Sequence, residues 1–246
     1  MVKKKLDSFR LLNITIVVNI LFIVSFLTSV VMSITMEKKD LIYICPIVIL
    51  TILLKYISLT KRKADPLFIL VLLAFFGINV LTFYSFKDFF ISISLLTSGY
   101  LLLYTLILKK YLNKSKLKSI LSLSVLIGVF LVGYVIYSVV DLLIGHVPDH
   151  KLFFVFLVAV CLFIYAITFA VIYINDNYAN GPILLSSGVC TIFNLGMAPI
   201  NEYFFYNKTF TVLLIICHFM SLYLFMIFIS KTKVIDAKNG TTDYFE

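Results

Sequence analysis

Residues 67–108 read LFILVLLAFFGINVLTFYSFKDFFISISLLTSGYLLLYTLIL. The stretch carries two charges, Lys87 and Asp88, side by side near its centre. A helix needs about 20 predominantly apolar residues to cross a bilayer. The stretch therefore reads as two spans joined by a connection too short for anything but antiparallel, adjacent helices. Lipid is the solvent such a sequence calls for, because no water-soluble core hides two consecutive faces of this kind.

The same pattern continues in both directions. Apolar segments bounded by charged or turn residues run over Leu11–Ser33, Leu41–Leu59, Leu67–Phe86, Phe89–Leu108, Ser119–Ile144, Leu152–Ile174, Gly181–Ile200 and Phe210–Ser230. The expected fold is an all-α integral membrane bundle of eight transmembrane helices, with residues 1–246 forming a single polytopic domain. Composition agrees. The chain is 62% hydrophobic and 13% charged, against about half and about a quarter in soluble domains. Its mean hydropathy is +1.08. The first segment is too long for a cleaved signal peptide and is expected to be retained.

Charge decides the orientation. With the amino terminus inside, 16 lysines and arginines fall in inner segments and 5 in outer loops: Lys38, Lys39, Lys87, Lys151 and Lys208. That bias over short loops is a positive-inside signal. It places both termini in the cytoplasm, and it reads the net charge of +9 as topology rather than nucleic-acid binding. Lys55, near the end of the second segment, is expected to snorkel to the headgroups. Lysine outnumbers arginine 19 to 2, a bias that points to an AT-rich genome and a bacterial inner membrane. Cys45, Cys161, Cys190 and Cys217 each lie in an apolar segment without a CxxC pair, so they read as small buried hydrophobes. His146 and His150 flank Pro148 in an outer loop and read as solvated. No metal and no cofactor is expected.

Ionisable groups within a span are costly and mark function by default. His218 is the one expected well inside a span. At about 1.5 Å per residue, Asn79, Asn194 and His218 each lie roughly 18–20 Å from the inner side, with Ser98 and Gly99 at a similar level. The expected site is Asn79, Ser98, Asn194 and His218 facing a common interior, with Glu202 at its outer mouth and His218 moving protons. Helix-to-helix hydrogen bonding is the commoner explanation of a single such amide, and the shared depth of the four groups is what argues for a site. Gly181, Pro182, Gly188, Gly196 and Pro199 along the seventh segment fit either a tightly packed helix or a bent one lining a cavity.

Three stretches carry a family likeness: Phe75-Phe76-Gly77-Ile78-Asn79-Val80-Leu81, then Tyr165, then Gly188 through Phe204 with Met197-Ala198-Pro199-Ile200-Asn201-Glu202-Tyr203-Phe204 at its end. With eight spans and both tails inside, they resemble the YhhN-like lysoplasmalogenase family, membrane enzymes that hydrolyse the vinyl-ether bond of lysoplasmalogens. The resemblance implies a lysolipid-like ligand held among membrane lipid. It also implies a divergent member. The family's acid in the third span corresponds to Asn79, none stands at Asn194 to Gly196, and its fourth-span histidine has no counterpart at Ser98, Gly99 or Leu101. An amide does not exchange protons as a carboxyl does. A small lipid or solute carrier and a non-catalytic accessory subunit are the alternatives.

Overall fold

The computed structural model describes residues 2–60, 63–112, 123–174, 178–204 and 206–234, with side chains from residue 16 in the first helix and from 127 in the fifth. Eight helices appear in chain order: α1 (Val2–Thr35), α2 (Leu41–Thr60), α3 (Pro66–Ser85), α4 (Phe90–Lys109), α5 (Leu123–Ile144), α6 (Asp149–Ile174), α7 (Gly181–Tyr203) and α8 (Lys208–Lys231). All eight are long and apolar enough to cross a membrane. Among the described residues there is no strand. The expected start of the fifth segment, Ser119, lies outside the described residues, as do Lys61, Arg62, Lys114, Lys116, Lys118, Lys238 and the side chains of Lys3, Lys4, Lys5 and Arg10.

The helix ends follow local chemistry. Asp65 caps α3 by accepting from the Leu67 N–H at 3.1 Å, and Pro66 takes the first helical position, where its missing N–H costs nothing. Asn207 caps α8 through the Thr209 N–H at 2.8 Å. The Asp65 carboxylate also pairs with Lys110 beyond the end of α4, so one residue starts α3 and ties it to its antiparallel partner.

Sequential helices pack as antiparallel neighbours, and the exceptions shape the interior. α4 packs on α6 rather than α5, and α8 packs on α1 and α2 as well as α7. α8 is thus the central post. Its Phe225 stacks on Tyr104 of α4 at 3.8 Å between ring centroids and on Phe68 of α3 at 5.9 Å. α5 lies at the periphery, against α6 and α7. Only 6% of its apolar window is buried, so Phe130, Tyr134 and Tyr137 project outward.

Lys55 does not snorkel. It is 7% exposed and points inward from α2, donating from Nζ to the Tyr223 hydroxyl of α8 at 2.5 Å. Nζ also lies 4.4 Å from the centroid of the Tyr223 ring and 5.7 Å from that of Phe22. The junction of α1, α2 and α8 supplies an acceptor and two aromatic faces, which together replace the headgroup environment that snorkelling would reach. His218 is therefore not the sole ionisable group deep in a helix.

Candidate functional site

The site begins with the course of α7. In its first half, Gly188 meets α6 so closely that a Cβ there would lie 2.5 Å from the Phe169 ring. Ser187 donates to the Ser221 carbonyl of α8 at 2.7 Å. Only a residue without a side chain permits that approach. Further along, Pro199 has no N–H to offer the Leu195 carbonyl. Here α7 lines a cavity with Asn194, Leu195, Gly196 and Pro199. The close-packed reading of α7 thus applies to its first half, and its second half lines the cavity.

The cavity has a volume of about 180 Å³ and is bounded by α3, α4, α5, α6, α7 and α8. Its walls are mostly aliphatic and aromatic. Tyr100, Leu162 and Phe219 lie at its deep side, and the buried Tyr104, Tyr165 and Phe225 pack beyond them. Its opposite end reaches Phe83, Phe86, Lys38 and Glu202, between the α1–α2, α3–α4 and α7–α8 connections.

Asn79 and His218 form the polar centre. The Asn79 amide nitrogen donates to the Phe75 carbonyl one turn back, at 2.8 Å, and lies 2.9 Å from His218 Nε2. An amide nitrogen has two hydrogens and no lone pair to share. One hydrogen goes to the carbonyl, so the other points at Nε2, which accepts. The imidazole proton then sits on Nδ1. Phe75 flanks the imidazole, with ring centroids 4.9 Å apart. Held this way, His218 lines the cavity with its basic nitrogen already engaged by Asn79.

Asn194 does not touch His218 by its side chain. Its amide donates to the Leu214 carbonyl of α8 at 2.9 Å, one turn ahead of His218. It therefore fixes the distance of α7 from the turn that carries the histidine. Asn201, 1% exposed, plays a similar part near the mouth, donating to the Thr211 hydroxyl at 3.2 Å and accepting the Asn207 N–H at 3.0 Å. Glu202 stands at the mouth, paired with Lys38.

Asn79, Asn194, His218 and Glu202 line the one cavity, and Ser98 does not. Ser98 hydrogen-bonds the Ser94 carbonyl at 2.9 Å and rests against the Cys161 thiol of α6. The packing of α4 on α6, rather than on α5, covers that face. Ser94 and Thr97 present the α4 hydroxyls to the cavity instead. Lys38 was visible in the sequence only as an outer-loop charge, because its pairing with Glu202 joins residues 164 apart. Tyr165 lies in the core beneath the cavity, with its ring 5.4 Å from that of Tyr104. His146 and His150 are exposed. Among the described residues no histidine, cysteine and carboxylate cluster is arranged to hold a metal. No family model, no curated protein and no solved structure matches the chain.

Proposed function

We propose that this chain is an integral membrane protein with both termini in the cytoplasm. In this reading its cavity, in the outer half of the bilayer, binds the apolar part of a lipid-like ligand. The observation that carries the reading is a mostly apolar cavity with the Asn79–His218 pair on its wall and Lys38 and Glu202 at its mouth. Ligand sites have this composition: apolar walls and a few placed polar groups. A carrier needs a path to both faces, and the aromatic packing of Tyr104, Tyr165 and Phe225 beneath the cavity supports a site with one entrance. An accessory subunit needs no cavity.

The family resemblance supports a ligand of lysolipid type without supporting vinyl-ether hydrolysis. That hydrolysis needs a proton donor strong enough for an alkene carbon and a base for water. The carboxylate that lines this cavity, Glu202, is paired with Lys38 at the mouth. Asn79 stands where the resemblance expects an acid. Binding, with His218 donating from Nδ1, is the function these residues suit.

The orientation has its own test. Reporter fusions after Lys63, Asn113 and Lys233 are expected to report the cytoplasm, and fusions after Lys39, Asp149 and Asn207 the opposite side. A cytoplasmic signal at Asp149 breaks the even-span topology, because shifting helix boundaries does not restore the parity.

For the ligand, the protein is purified with its bound lipids and these are identified by mass spectrometry. The wild type is expected to retain a single lipid class. His218→Phe should reduce retention about tenfold, the loss expected from one buried hydrogen bond, and Ala159→Leu with Ala198→Leu should displace the ligand by filling the cavity. Equal retention in all three proteins, each correctly inserted, removes the cavity as the binding site.

A further inference from the structure

The polar mouth of the cavity opens into a vestibule of about 510 Å³. Lys38, Thr82, Phe83, Phe86 and Glu202 line both spaces, so the vestibule adjoins the cavity across the Lys38–Glu202 pair, and the two are treated as one recess. Four lysines and two glutamates line the vestibule: Lys38, Lys39, Lys87 and Lys208 with Glu37 and Glu202. They come from three separate connections, α1–α2, α3–α4 and α7–α8.

These lysines are the wrong ones for topology. In the proposed orientation they face outward, where the positive-inside rule disfavours them. The whole chain has only five basic residues in its outer connections, and four of the five line one recess. Lys39, Lys87 and Lys208 are exposed and have no carboxylate partner among the described residues, where the ion pairs are Lys38–Glu202 and Lys110–Asp65. Lys38 alone is neutralised, at the throat, with Nζ 5.9 Å from the Phe86 ring centroid.

We propose that the recess binds an anionic single-chain amphiphile. Its alkyl chain enters the cavity and its phosphate or carboxylate head rests among Lys39, Lys87 and Lys208, displacing Glu202 from Lys38 as it passes the throat. This rests on the cavity reading given above and adds the charge and the chain number of the ligand. The cavity volume of about 180 Å³ sets the chain number. Apolar cavities of about 150 Å³ take a benzene-sized group, which leaves room for part of one chain and none for two. Four ammonium groups against two carboxylates, a surplus of two positive charges, set the charge. The Lys38–Glu202 pair serves as a latch: it holds the throat neutral when empty, and an incoming anion competes with Glu202 for Lys38.

The chain contains no tryptophan, so Leu214→Trp, at the cavity wall, gives a fluorescence signal free of background. The full protein in phosphatidylcholine nanodiscs is titrated with four probes sharing a terminally brominated dodecyl chain: phosphate, carboxylate, alcohol and trimethylammonium. Saturable quenching is expected to be strongest for the phosphate and carboxylate, and the stronger of the two identifies the natural head. Exchanging Lys39, Lys87 and Lys208 together for glutamine should weaken both anions about tenfold, the sum of three exposed ion pairs each worth a few-fold, and leave the alcohol unchanged. Glu202→Gln should tighten both. Raising the salt should weaken the anions selectively. Native mass spectrometry of the unsubstituted protein should give the same ranking. If the alcohol binds as tightly as the anions, or the lysine exchanges change nothing, the head-group assignment is overturned and the cavity stands. If no probe quenches saturably, the cavity reading itself falls.

Discussion

Gly188→Ala should lower stability by about 3 kcal/mol, the upper end of what overpacking a rigid core costs. The added methyl would sit 2.5 Å from two atoms of the Phe169 ring and 2.7 Å from a third. That ring is 3% exposed and packs against Tyr165 at 5.2 Å between centroids, so it has nowhere to retreat. The effect should reach the cavity, because the Gly188 contact anchors the half of α7 that precedes the cavity-lining half. Phe169→Leu frees space beside the new methyl. The double variant should therefore be more stable than the sum of the single losses, with a coupling of at least about 1 kcal/mol, as expected of residues in contact. Thermal unfolding of the purified protein in detergent measures all three. A Gly188→Ala protein that melts like the parent would show that α6 and α7 are not closely packed.

Lys55 yields the second large effect, and its sign depends on which partner is removed. Tyr223→Phe keeps the ring but deletes the hydroxyl that accepts from Nζ at 2.5 Å. The ammonium is left buried without that acceptor, at a cost of about 1–3 kcal/mol. Lys55→Met keeps most of the stem and removes the charge. Replacing a buried charged group by an apolar residue of similar size is often neutral or stabilising, so Lys55→Met should match or exceed the parent. Combining the two should restore a Tyr223→Phe protein to the level of Lys55→Met alone. If Lys55→Met proves the more damaging substitution, the lysine does something beyond filling this junction.

The helices were legible in the sequence because hydropathy needs no partner information. Predicted Leu41–Leu59, Leu67–Phe86, Phe89–Leu108 and Phe210–Ser230 differ by a residue or two from α2, α3, α4 and α8. The larger difference, Leu11 against Val2 in α1, has a simple cause: a helix does not stop where apolarity stops. Depth along a helix was also legible, since it follows from rise per residue. That is why Asn79 and His218, 139 residues apart, were expected at one level. The azimuth of a side chain was not legible. Thr97 and Ser98 are neighbours on α4, about 100° apart around the helix, and only the packing of α4 on α6 decides which hydroxyl-bearing residue lines the cavity. Lys55 failed for the same reason: distance from the end of α2 suggested the headgroups, and its direction toward Tyr223 depended on a helix 168 residues away. Glu202 was legible as a mouth residue, but its pairing with Lys38 was not, because the two are 164 residues apart.

The position of α8 has a consequence for biogenesis. It supplies Tyr223 to Lys55 on α2, His218 to Asn79 on α3, and the Leu214 and Ser221 carbonyls to Asn194 and Ser187 on α7. Of the eight helices it is also the one translated last. Until it emerges from the ribosome, a lysine, two asparagines and a serine are without these native partners. With the chain in a membrane as proposed, a nascent chain stalled before α8 should linger with the translocon and be prone to membrane proteolysis, and release of the eighth helix should convert the set into a protected bundle in one step.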